Sequence, residues 1–77
     1  MKNLAALVQG KIKETAFKSV GFEDELLKSG ILTSILVIDL TTSLEEELNI
    51  SIPFTEITAE NFNSVKSIES YLLSKIN

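Results

Sequence analysis

Few side chains in this 77-residue chain can do chemistry, and Ser34 is the one whose position suits it. Cysteine, histidine, arginine and tryptophan are all absent. That excludes a thiol nucleophile, a disulfide and a cysteine zinc site. It also removes the commonest general base and the commonest metal ligand. An enzyme built from this chain would have to work with carboxylates, lysines, hydroxyls and Tyr71 alone, so a non-enzymatic protein is expected. As a bare nucleophile Ser34 has no histidine to activate it. As a modified residue it is well placed, because the free N–H groups and positive dipole end of a helix N-terminus favour a phosphate ester. On local chemistry alone it can equally be a serine that simply begins a helix.

The acidic run Glu45-Glu46-Glu47 invites a metal reading, but consecutive helical residues diverge by about 100° and do not converge on one ion. The spacing also fails the rule for a calcium-binding loop, so no metal is expected. The net charge of −4 is unevenly spread. Residues 34–48 hold Asp39, Glu45, Glu46 and Glu47 with no cation, whereas residues 1–20 hold Lys2, Lys11, Lys13 and Lys18 against Glu14. Nucleic acid needs a basic footprint and is an unlikely partner; a basic protein surface fits better.

These residues are positioned by helices. Leu4, Leu7, Val8, Ile12 and Ala16 recur at helical spacing, which predicts a first helix over residues 2–16, with Lys2, Lys11 and Lys13 outside the stripe and Gly10 weakening it by about 1 kcal/mol. Residues 17–33 show no clean period and read as a long connection packing its own Phe17, Val20, Phe22, Leu26, Leu27, Ile31 and Leu32 against the core, with one helical turn over 23–28. The second helix is predicted over Ser34 to Leu48, capped by Thr33 and closed by Asn49 in the left-handed position. Its stripe Val37, Leu40, Leu44 and Leu48 faces inward. Ile50 to Pro53 reads as an extended loop. Thr58 caps a short third helix over 59–62 that buries Phe62. Ser64 caps the last helix, 65–76, with Val65, Ile68, Leu72 and Ile76 buried. The sum is an all-α, single-domain chain of 77 residues. No apolar stretch is long enough to cross a bilayer, and no secretory signal is visible, so a cytoplasmic location without membrane insertion is expected.

At 100° per residue the outer side of the second helix carries Ile35, Ile38, Asp39, Thr42, Glu45 and Glu46, with Ser34 at its head. Large aliphatic side chains ringed by acids suggest a docking surface. The alternative is that Ile35 or Ile38 packs under the long loop and the carboxylates are only solvated.

The run Glu25-Leu26-Leu27-Lys28-Ser29-Gly30-Ile31-Leu32-Thr33-Ser34-Ile35 resembles the phosphopantetheine attachment region of acyl and peptidyl carrier proteins. Leu44 to Pro53 is similar to the family's helix-two ending and following loop, and Thr58 to Val65 to its third helix and the start of its fourth. The resemblance covers about residues 20–76. It implies a four-helix bundle of acyl-carrier type, with three main helices, one short one and a long first loop, carrying 4′-phosphopantetheine on Ser34 beside the capping Thr33. It also implies that a phosphopantetheinyl transferase supplies the group from coenzyme A, that a ligase or transferase loads an acyl or aminoacyl thioester, and that synthase or condensing enzymes with basic docking surfaces read Ile35, Ile38, Asp39, Thr42, Glu45 and Glu46. An acyl chain, if sequestered, would be lined by Leu44, Ile57 and Phe62, and the protein would be a monomer serving fatty-acid, polyketide or related biosynthesis. Thr33 stands where the family has Asp, Ile35 where it has Leu, and Leu36 where many fatty-acid carriers have an acid. These departures lean toward a specialised carrier, and they motivate the alternative of an unmodified carrier-like module acting through the face of helix two.

Overall fold

The computed structural model describes residues 3–76. Four α-helices follow in order: α1 (Leu4–Ala16), α2 (Ser34–Leu48), α3 (Ala59–Phe62) and α4 (Val65–Ile76), with a 3₁₀ turn over Phe54–Glu56. The described chain is all-helical, as expected; residue 2, the expected start of the first helix, lies outside the described residues. None of its helices is long and apolar enough to cross a membrane.

Local signals set the helix boundaries. Asn3 caps α1 by accepting from the Ala6 N–H at 3.1 Å, Thr33 caps α2 through Leu36 N–H at 3.2 Å, Thr58 caps α3 through Asn61 N–H at 3.3 Å, and Ser64 accepts from Ser67 N–H at 3.0 Å at the head of α4. Each satisfies an N–H that the helix cannot. Asn49 closes α2 at φ 56°, in the left-handed conformation an asparagine tolerates.

The helices bury one continuous core. It takes Leu4, Val8 and Ile12 from α1, Val37, Leu40 and Leu44 from α2, Phe62 from α3, and Val65, Ile68 and Leu72 from α4, with Val20, Leu26, Leu32 and Ile52 from the connections. α1 packs against both α2 and α4, and α3 packs against α4. Thr41 also lies inside, its hydroxyl returned to the Ile38 carbonyl at 2.8 Å.

The long connection departs from expectation at three places. Residues 23–28 form no helical turn; the chain passes from a turn at 22–23 into a second turn over 26–30. The N–H groups of Leu26, Leu27 and Lys28 go to Asn63, at 2.6 Å to its carbonyl and 3.0 and 3.3 Å to its side-chain oxygen, so they are not free to make helical bonds. Gly30 at φ 83° then reverses the chain, a conformation costly for any residue with a Cβ. Phe17 does not pack on the core but stands 86% exposed. It ends α1 at φ 59° with its N–H on the Lys13 carbonyl, a geometry that turns its side chain off the buried stripe. Phe22 is also partly exposed. Ile76 is 46% exposed because the buried stripe of α4 ends one turn earlier, at Leu72.

Asn63→Ala should lower unfolding stability by about 1–3 kcal/mol, because one side-chain oxygen serves two loop N–H groups that would lose their acceptor. Urea denaturation followed by circular dichroism checks this; an unchanged midpoint would show that the Asn63 side chain does not hold the loop.

Candidate functional site

Ser34 is delivered to the surface by the residues just before it. Leu32 is buried, and its N–H bonds the Leu26 carbonyl at 2.9 Å, which closes the loop into a ring beneath the start of α2. Thr33 follows in extended conformation and caps the helix. Ser34 then opens the first turn with its side chain exposed. Among the described residues its hydroxyl has no hydrogen-bond partner, and neither do the N–H groups of Ser34 and Ile35, while Leu36 and Val37 N–H are taken by Thr33. An open hydroxyl beside two open donors at the positive end of a 15-residue helix can receive a phosphodiester without displacing any existing contact.

The outer face of α2 runs away from this point. Ile35 is 71% and Ile38 44% exposed, so neither packs under the long loop. Asp39, Thr42 and Glu46 are exposed on the same side. Glu45 differs: it is half-buried, and its carboxylate accepts from the Ile52 N–H at 2.7 Å, which pins the loop after α2. Glu47 is turned toward α1, 3.5 Å from the Lys11 ammonium. Two of the three consecutive glutamates therefore tie the fold, and Asp39 and Glu46 carry the charge of the outward face.

Leu44 and Phe62 are wholly buried and Ile57 is half-buried against them. Beside them lies a cluster that sequence reasoning missed. Glu56 accepts a hydrogen bond from the Tyr71 hydroxyl and pairs with the Lys75 ammonium at 3.0 Å. Tyr71 also tilts against Phe62, ring centroids 5.4 Å apart, and Lys75 sits 5.8 Å from the Tyr71 ring centre. The i,i+4 spacing of Tyr71 and Lys75 was legible; the arrival of Glu56, fifteen residues upstream of Tyr71, was not. The Tyr71 hydrogen bond first, and the Lys75 ammonium second, hold the Glu56 carboxyl below the ordinary glutamate range. Burial, then the Glu56 contact, pushes the Tyr71 phenol up.

A family model described as "Phosphopantetheine attachment site" matches residues 3–72. Two curated proteins of Bradyrhizobium diazoefficiens are similar to this chain. Aminoacyl carrier protein 1 is 34% identical, with 91% of this chain and 78% of that protein covered. Aminoacyl carrier protein 2 is 32% identical, with 92% and 80% covered.

Two expectations follow from this geometry. Thr33→Val should cost about 1 kcal/mol of stability through loss of the cap, and Thr33→Asp should retain it, since both Thr and Asp cap and Val does not; equal melting temperatures for all three would exclude the capping role. Glu56 has a depressed pKa in the folded state, so its stabilisation is complete above the unfolded value (about 4.3) and is lost as pH falls through the lower folded value. The melting-temperature gap between the natural protein and Glu56→Gln should therefore be present at neutral pH and close in acid; a gap independent of pH would contradict the ionised contact.

Proposed function

The chain belongs to the phosphopantetheine attachment-site family, and we propose that Ser34 is the residue to which its 4′-phosphopantetheine is joined. It is a carrier protein, and its cofactor is that covalently attached group. The observation that supports Ser34 is its open, unpartnered hydroxyl at the head of α2, within the matched region. Attachment would form a phosphodiester on the Ser34 oxygen as the pyrophosphate bond of coenzyme A breaks, releasing adenosine 3′,5′-bisphosphate and the serine proton, with the Ser34 and Ile35 N–H groups and the α2 dipole beside the phosphodiester charge. The group supplies a terminal thiol that can hold an acyl or aminoacyl thioester, a function no side chain of this cysteine-free chain can perform. The chain itself acts as the holder and the address and takes no catalytic part.

The cargo we propose is aminoacyl, because both relatives are named as aminoacyl carriers. A phosphopantetheinyl transferase would install the group, a ligase or transferase would load it, and a receiving enzyme would take the cargo. Fatty-acid or polyketide synthases remain the alternative receivers. The surface we assign to these partners is Ile35, Ile38, Asp39, Thr42 and Glu46, with Glu45 beneath its edge. Two exposed isoleucines supply apolar contact and the flanking carboxylates steer a basic partner. A monomer acting in the cytoplasm fits this role. Thr33 in place of the family's Asp favours one other reading, an unmodified module that works through the same face.

Incubation with coenzyme A, Mg²⁺ and a broad-specificity transferase should add one phosphopantetheine to the natural protein and none to Ser34→Ala, as read by intact mass. No gain with that enzyme or with transferases of the source organism would leave only the unmodified reading. Reversing the charge of Asp39 and Glu46 should slow association with a basic partner and flatten its salt dependence; identical kinetics across a salt series would remove electrostatic docking.

A further inference from the structure

The side of the bundle between α2 and α3 is closed by a segment of loop. The main helix contacts join α1 to α2 and α4, and α3 to α4, and residues 49–58 link α2 to α3. Ile52 of that segment belongs to the same core as Leu44 and Phe62, and Ile50 and Ile57 pack half-buried against that core. Such short aliphatic contacts would hold a loop weakly, but this one is fastened at both ends by carboxylates. Glu45 of α2 holds the Ile52 N–H at 2.7 Å. Glu56 is held by the Tyr71 hydroxyl and, at 3.0 Å, by the Lys75 ammonium, both from α4. The Glu56 carbonyl in turn accepts from Asn61 Nδ2 at 2.9 Å and from the Thr58 N–H at 3.0 Å, which locks the start of α3 to the same point.

We propose that Glu56 is a specificity-determining residue of this carrier: its contacts with Tyr71 and Lys75 latch the 50–57 segment over the core, keep an attached chain outside, and suit the protein to short polar acyl groups of the aminoacyl kind. The proposal rests on the carrier reading above. A chain entering the core beneath this segment must lift Ile57, and lifting Ile57 draws the adjacent Glu56 away from α4. A long aliphatic group denied that space stays in water, where its apolar surface is unfavourable. A short polar group loses nothing by staying there. Glu56 acts by positioning the segment and touches no cargo.

The latch is read first in the unmodified protein. Glu56→Ala should raise amide hydrogen exchange at Ile57 and Thr58 by about tenfold or more, as for a local opening, while Val8 and Ile12 in α1 keep their rates. The cargo is read after loading with acetyl- or octanoyl-coenzyme A by the transferase. In the natural protein hydroxylamine should cleave both thioesters equally fast, and the resonances of Leu44 and Phe62 should be the same for both loads. In Glu56→Ala the octanoyl ester should be protected several-fold and those resonances should move, while Lys75→Arg, which keeps a cation at the latch, should behave as the natural protein does. If Glu56→Ala does not fold, Tyr71→Phe takes its place in both measurements. Protection of octanoate in the natural protein, unchanged exchange in the variant, or faster exchange without uptake would each overturn the proposal. A chain that gains no mass at Ser34 would instead overturn the carrier reading, and the exchange rates of the unmodified protein would still decide whether the latch exists.

Discussion

Asn63 anchors the long connection between α1 and α2. Its carbonyl and side-chain oxygen take the N–H groups of Leu26, Leu27 and Lys28, more than thirty residues away in sequence. The Phe22 carbonyl repays the contact on the next turn by accepting from the Lys66 N–H at 3.0 Å. Once the loop is anchored at Leu26, that residue's carbonyl fixes Leu32, Leu32 fixes Thr33, and Thr33 sets where α2 begins. The position of Ser34 thus depends on a junction at the far side of the α3–α4 corner. A chain of this size has little core to spare, so polar contacts of this kind carry an unusual share of the ordering of its loops.

Charge is divided between structure and surface along α2. Glu47 turns to Lys11 on α1, and Glu45 turns to the Ile52 N–H. Asp39 and Glu46 remain free to face outward beside Ile35 and Ile38. A single helix can serve both purposes because neighbouring residues diverge by about 100° around its axis. The result is an outward face of two aliphatic side chains and two carboxylates that begins at Ser34, without any cation from its own helix.

The same economy appears at the junction of the 3₁₀ turn with α4. α3 is only four residues long, and Phe62 at its end is buried with the Tyr71 ring of α4 against it. Tyr71 serves both purposes there, its ring against Phe62 and its hydroxyl on Glu56. Holding a loop by an ion pair and one phenolic bond leaves it easier to open than a helix would be.

Much of this was legible from the chain itself. The caps at Thr33, Thr58 and Ser64 and the left-handed Asn49 are local chemistry, decided within three or four residues, and they placed α2, α3 and α4 where they are found. The inward stripes and the exposed face of α2 followed from helical period, and the absence of cysteine and histidine narrowed the chemistry that Ser34 could take part in. What tertiary structure alone decided were the contacts between residues far apart in sequence. The turn over 26–30 replaced a helical one because Asn63 took its N–H groups, and Glu45 became a loop anchor because Ile52 lay opposite it. Glu56 met Tyr71 and Lys75 only once α4 had docked, and Phe17 faced outward because α1 ended in a left-handed residue. Period and capping act over one turn of helix, whereas the partner of a loop N–H or a lone carboxylate is chosen by how whole helices pack, and no local pattern encodes it.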